Sequence, residues 1–312
     1  MVLMTKKPLP APGDLCHPDP RKAGPRPLHT IIAPENDEEL QQVLTWLTLR
    51  PITSLLRTAV DDAVRYVLDG ARTWRFDLMS EEVDKDERSS VGTKLQYHVI
   101  QSLELVKEPP LDTMIMGIPV EIKGTVRATW MIPREGQCEI TLMIQIDARR
   151  HRFRALLMRA HRAWLSGNQG NRDLKRSPYA DAVRQYALEV APWTDLPPEP
   201  LRSLTHDQLR VVFGSDSLLK RLIALFGYLP EQVIPRESIT TVGAGLREPL
   251  RRAREAKPYL LDQHGLVVLV GTWRGEFNVA AKLGHDLSNE AWVAIPRAKI
   301  VGLGLTPEDF KH

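Results

Sequence analysis

Asp112, Glu121 and Lys123 are the residues whose types and spacing can do chemistry together. Side chains two apart on a β-strand point to the same face, so an extended segment puts Glu121 and Lys123 side by side. Asp112 falls on the preceding run, and a hairpin turned at Met116-Gly117 brings it to the same cleft. Two carboxylates, with the backbone carbonyl of Ile122 beside them, form an oxygen donor set suited to magnesium. A magnesium ion polarises a phosphate oxygen and acidifies a bound water, while a lysine holds that water or meets the charge growing on the phosphate. The expectation is metal-assisted hydrolysis of a phosphodiester, with Mg2+ as the cofactor. A solvated hairpin of alternating charges carries the same letters by chance. Two features set this one apart: Val120 and Ile122 give it an apolar opposite face, and a basic stretch follows from Arg149 to Arg176. Arg172, Lys175 and Arg176 in that stretch are candidate phosphate contacts.

The elements that must position these groups read as a mixed α/β arrangement. Apolar residues at helical spacing predict helices over 36–49, through Leu40, Val43 and Leu47, and over 54–68, ended by Asp69-Gly70. A third helix is expected from about Ser90 through Leu95, Val99 and Leu103. Strands are expected for the hairpin of 111–123, for 139–146 with its alternating isoleucines and Leu142, and for 152–157; helices then return around 155–166 and 178–190. Helices on a mixed sheet make an α/β domain. Residues 1–30, rich in proline, read as a flexible arm whose Lys6, Lys7, Arg21, Lys22 and Arg26 can touch a polyanion or simply be solvated. The expected organisation is this arm, a catalytic domain over 31–190, a linker over 191–200 with four prolines, and a second domain over 201–312.

In that second part, a helix over 217–226 precedes a short helix at 236–242, a turn at Gly243-Ala-Gly245, a helix from Leu246 to Ala256 and a strand over 265–272. Helix–turn–helix followed by strands is the outline of a winged-helix domain. Arg247, Arg251, Arg252, Arg254 and Lys257 cluster on and after its second helix and are candidate DNA contacts. The plain alternative is a solvated helix with Glu248 and Glu255 as partners.

The net charge of +3 does not by itself announce a polyanion partner. Cys16 and Cys138 lie far apart, and the nine histidines show no paired metal-ligand spacing, so neither a disulfide framework nor a thiolate zinc site is expected. Gly243-Ala-Gly245 lacks the strand and Gly-Lys of a nucleotide loop, so no nucleotide cofactor is expected. No apolar run of membrane-spanning length and no signal-type N-terminus occur, which predicts a cytoplasmic protein without a membrane partner.

Several colinear segments resemble the NaeI-type restriction endonucleases: 68–77, Gly92-Thr93, the hairpin from Asp112 through Gly117 to Lys123, Trp130 to Pro133, Asn171 to Arg176, Ile239 to Val242, and Gly265 to Gly271. The resemblance spans roughly residues 40–310. It implies a PD-(D/E)xK nuclease domain joined to a winged-helix domain, in a homodimer that cuts palindromic double-stranded DNA with magnesium. It also implies that each domain can hold a duplex, so that a second site acts as effector. By motif position Asp112 and Glu121 become metal ligands and Lys123 the catalytic lysine. Two positions depart from the family's pattern: Glu121 stands where the family has aspartate, and Gln96 stands where it has a glutamate, three residues beyond Thr93. A neutral amide can hold a metal-bound water but brings no charge, so Gln96 is kept as a site residue. It also motivates the alternative of a non-catalytic DNA-binding regulator; a nicking or repair nuclease on the same scaffold is a further alternative.

Overall fold

The structure is a computed structural model that describes residues 8–19, 27–166 and 174–311. The chain divides into two compact units, Met1–Val67 with Glu81–Pro197, and Leu68–Ser80 with Pro198–His312.

In chain order the first unit begins with two short paired strands, β1 (Leu15–Cys16) and β2 (His29–Thr30), then α1 (Glu38–Thr48) and α2 (Ile52–Leu68). The single turn α3 (Gly70–Thr73) belongs to the second unit. The first unit resumes with α4 (Lys85–Ser102), β3 (Thr113–Ile115), β4 (Ile118–Thr125), β5 (Ile140–Asp147), β6 (Arg152–Arg159), α5 (Ala180–Tyr186) and β7 (Leu188–Asp195). Its sheet has five strands in the order β3-β4-β5-β6-β7, with β4 and β5 parallel and the other neighbours antiparallel.

Local chemistry explains the elements nearest the hairpin. Met116 and Gly117 both sit at positive φ, 53° and 78°, which is the backbone of the tight turn that matches strand twist. The turn sets Ile115 against Ile118 and Thr113 against Val120, so the residue before β3, Asp112, faces the level of Glu121. α4 starts earlier than the apolar spacing suggests, because the Asp84 carboxylate accepts the backbone N–H groups of Asp86 and Glu87 and caps it there. Val91, Leu95 and Val99 are the buried stripe of α4. β5 is buried on both faces, Thr141 and Met143 as well as the isoleucines, as befits a central strand.

Three expectations are corrected. The segment expected as a helix over 155–166 instead opens with the end of β6, through Arg159, followed by a 3-10 turn at Arg162–Trp164; a short apolar run buried on both sides has no period to tell helix from strand. The helix expected over 178–190 stops at Tyr186, and β7 runs through the first half of the expected 191–200 linker. Pro192 is tolerated because β7 is an edge strand whose pairing with β6 is irregular around Ala155 and Ala191. The arm of residues 1–30 is in part built into the core: Cys16 is fully buried, Leu9 packs against the cluster of Trp130, Met158 and Trp164, and the Trp164 indole donates to the Pro10 carbonyl at 2.9 Å. Lys6, Lys7, Arg21, Lys22 and Arg26 lie outside the described residues.

The second unit contains α3, α6 (His206–Gly214), α7 (Leu218–Tyr228), β8 (Val233–Ile234), α8 (Arg236–Val242), α9 (Pro249–His264), β9 (Leu266–Val270), α10 (Arg274–Lys282), β10 (Trp292–Pro296) and α11 (Arg297–Gly302). Its antiparallel sheet has the order β8-β10-β9. Segment 68–80, expected in the catalytic domain, groups here instead: Trp74 and Phe76 stack on Phe213 at 6.1 and 5.7 Å between ring centroids. α9 begins with proline in its first turn and ends at Gly265, whose φ of 62° suits a residue without Cβ. The connection between β9 and β10 carries α10 rather than a bare hairpin. Among the described residues no helix is long and apolar enough to cross a membrane.

Candidate active site

The hairpin of β3 and β4 brings the acidic and basic groups together. Lys123 Nζ lies 2.6 Å from Glu121 Oε1, so these two side chains do share a face of β4. Asp112 Oδ2 accepts the backbone N–H of Ile122, the residue between them, at 2.8 Å. Asp112 is 7% exposed and Glu121 3%, whereas the Lys123 side chain is 26% exposed.

Electrostatics follow from that burial. Desolvation pushes the Asp112 carboxyl above the usual carboxylate range, opposed by the Ile122 N–H and by the charges of Lys123 and Lys107. Burial likewise raises Glu121, opposed by Lys123 and reinforced by the negative charge of Asp112. Glu135 adds repulsion on both. Three acids therefore press on one another in a partly dry place.

Beside them opens a cleft of about 490 Å³, whose lining includes Thr93, Gln96, Ile122, Lys123, Arg127 and Lys175. The carboxylates of Asp112 and Glu121 lie outside that lining and adjoin it through Ile122 and Lys123. α4 reaches β4 closely because both contact residues are glycines: a Cβ on Gly92 would stand 2.6 Å from the carbonyl oxygen of Gly124. That approach carries Gln96, one turn further along α4, to the cleft.

The structure distributes the expected DNA contacts unevenly. Lys175 is exposed at the cleft, and Arg172 lies outside the described residues. Arg176 is a correction: it is 3% exposed, its backbone bridges to Ile132, and its guanidinium donates to the Ser166 carbonyl at 3.3 Å. A side chain spent on fixing a loop cannot also meet phosphate. On α9, Arg247 is exposed just before the helix, and Arg251 and Arg252 are exposed with Glu248 and Glu255 as ion-pair partners. Exposed pairs of this kind are weak enough to exchange for phosphate. Arg254 lies over the Trp273 ring at 5.8 Å.

Lys257 is the second correction. Its side chain is 0% exposed and its ammonium sits 2.6 Å from Glu276 Oε1. Glu276 Oε2 in turn accepts the Val270 N–H at 2.6 Å, so the pair ties α9, α10 and β9 together. Position on a helix of arginines does not reveal which way one of them faces.

Sequence reasoning missed Arg127 and Glu135. Arg127 was legible as a basic residue two positions past the end of the strand that carries Lys123. Glu135 was not, because it reaches the carboxylates through the loop before β5.

The family model of Restriction endonuclease NaeI matches residues 43–297, most of the chain. The chain belongs to the NaeI restriction endonuclease family. No curated protein matches it. The match runs through the hairpin, the cleft-lining residues of α4 and the exposed arginines of α9. Membership of the NaeI family implies a DNA endonuclease that binds double-stranded DNA, and restriction endonucleases are generally dependent on a divalent metal. The five-stranded mixed sheet with its flanking helices is compatible with such a fold.

Proposed function

We propose that the protein is a sequence-specific type II restriction endonuclease that hydrolyses both strands of duplex DNA with magnesium, with Asp112, Glu121 and Lys123 as its reactive centre. The observation that carries the proposal is the Lys123–Glu121 contact of 2.6 Å, next to Asp112 and at the edge of a cleft. The donor chemistry fits magnesium: oxygen ligands only, from Asp112, Glu121 and the Ile122 carbonyl, with mutual repulsion of the acids that a cation would relieve. When bound there, magnesium would supply polarisation of the phosphate and a more acidic water. The chain's own part is then specific. Asp112 and Glu121 hold the cation side of the site in a fixed register. Lys123 leaves its ion pair to orient water or to neutralise the phosphate. Gln96 offers an amide to a water in the cleft, and Lys175 and Arg127 receive the backbone phosphates.

In the same proposal the second unit is a winged-helix-type DNA-docking module. α8 and α9 form its helix–turn–helix, and Arg247, Arg251, Arg252 and Arg254 are its contacts to phosphate or guanine. A homodimer supplies one centre per strand, and a duplex on the second unit acts as effector. The test is plasmid DNA incubated with magnesium, with and without an excess of a second cognate duplex. Linear product that disappears in Lys123→Ala, with DNA binding retained, supports the reading; wild-type protein that binds DNA and never cuts it counts against it. A non-catalytic DNA-binding role is favoured by one observation, Gln96 in place of an acid at the cleft, and footprints unchanged by magnesium would select it. Nicked circles as the only product would select a nicking enzyme.

A further inference from the structure

We infer that Cys16, His29, Cys138 and His161 form a structural site for a soft divalent cation, zinc by the chemistry of its donors, separate from the magnesium site. One ligand atom from each residue lies within 4.8 Å of all the others. Two sulfurs and two imidazole nitrogens, from three buried residues and the half-buried His29, match a structural zinc donor set.

Two of the spacings are those of a tetrahedron. Zinc–sulfur bonds of about 2.3 Å at the tetrahedral angle separate two sulfurs by about 3.8 Å; the two Sγ atoms are 3.7 Å apart. Zinc–nitrogen bonds of about 2.0–2.1 Å separate two nitrogens by about 3.3–3.4 Å; His29 Nε2 and His161 Nδ1 are 3.1 Å apart. That sulfur separation is far beyond the roughly 2.05 Å of a disulfide.

The surroundings are those of a metal site. His29 Nδ1 lies 2.8 Å from the Pro27 carbonyl, a bond that leaves Nε2 as the ligating atom. The backbone N–H of Arg162 donates to Cys138 Sγ at 3.3 Å. Cys16, Cys138 and His161 are all 0% exposed. Cys138 is held at φ 69°, a left-handed backbone that a non-glycine residue keeps only where its surroundings demand it. Two thiolates and a dication sum to no net charge, which a buried site requires.

The competing account is a thiol–thiol contact with an ordinary hydrogen bond between the imidazoles. It gives no reason for four metal-ligating side chains to converge from segments as far apart as positions 16 and 161. A metal here clamps the β1–β2 ribbon to the loop before β5. That loop also carries Gly136, where an added Cβ would stand 3.2 Å from Glu121 Cγ.

The experiment is metal analysis of the full chain, purified reduced and without chelator, together with reconstitution by cobalt(II). About one zinc per chain is expected, retained in Asp112→Ala and lost in His29→Ala and Cys16→Ser. Wild-type protein loaded with cobalt should show thiolate-to-cobalt charge-transfer absorbance, which reports the site even if a variant fails to fold. Metal-free protein with no such absorbance overturns the inference. So does a Cys16–Cys138 disulfide in the reduced preparation, or zinc that persists in folded His29→Ala and Cys16→Ser.

Discussion

The first and second units each contain a lysine–glutamate pair with the same 2.6 Å separation, Lys123–Glu121 and Lys257–Glu276. In the first pair the lysine side chain keeps 26% of its surface and borders a cleft; in the second it keeps none. A lysine that solvent can reach can leave its partner when a phosphate arrives. A sealed one cannot, because each charge would then stand unpaired in a low dielectric. Contact distance therefore says nothing about role, and access decides it.

The largest expected effect is on the sealed pair. Lys257→Ala should destabilise the protein by about 3–5 kcal/mol, the cost of leaving a buried charge without its partner, as read by chemical denaturation. A loss below about 1 kcal/mol, the range of a surface pair, would erase the contrast. Lys123→Ala should do the reverse. Cleavage falls by about 10²–10³-fold, the scale of losing one well-placed charge stabiliser, while the denaturation midpoint stays near wild type. Normal cutting by this variant would refute the proposed role of Lys123.

An intermediate effect comes from Gly92→Ala. Its Cβ meets the Gly124 carbonyl oxygen at 2.6 Å, so α4 must back away from β4. The expected cost is about 1–3 kcal/mol, with slower cleavage at unchanged affinity for DNA; a silent substitution would show that the close approach does not set the cleft.

The pH dependence sharpens the comparison further. Burial raises Asp112 and Glu121 above ordinary carboxylate values. Protonation then begins at higher pH than for a solvated acid, so cleavage should fail on the acid side before ordinary carboxylates titrate. The stability sign follows. A raised acid is stabilised in its protonated form, and that contribution is lost as pH rises through the folded-state value. At neutral pH without divalent cation, Glu121→Gln should therefore melt no lower than wild type while cutting far more slowly. A clear drop in its melting temperature would mean that the ion pair with Lys123 outweighs the desolvation. The smallest effect is expected from Gln96→Glu, which adds a charge at the cleft. The magnesium concentration for half-maximal cleavage should fall several-fold, and an unchanged titration would separate Gln96 from the metal.

Much of the nuclease-like unit could be read from local pattern. The Met116-Gly117 turn, the shared face of Glu121 and Lys123, and the buried stripes of α1 and α2 are all set by neighbours within a few residues. The colinear segments that resemble the NaeI family were equally visible in the sequence. Other features were hidden for a common reason: each depends on partners far away along the chain. Arg176 and Lys257 read as DNA contacts until Ser166, Ile132 and Glu276 enclosed them. β7 passes through a proline because of where it lies in the sheet. The β1–β2 ribbon is ordered by a core of residues more than a hundred positions away.

The sequence by itself determined the elements whose period and turn chemistry are local, and with them the trio of Asp112, Glu121 and Lys123. Tertiary structure alone decided which charges stay accessible, and that two cysteines and two histidines without motif spacing converge within 4.8 Å. The physical reason is range. Strand alternation and capping act over a few bonds, whereas burial and long-range coordination exist only after the chain has closed on itself.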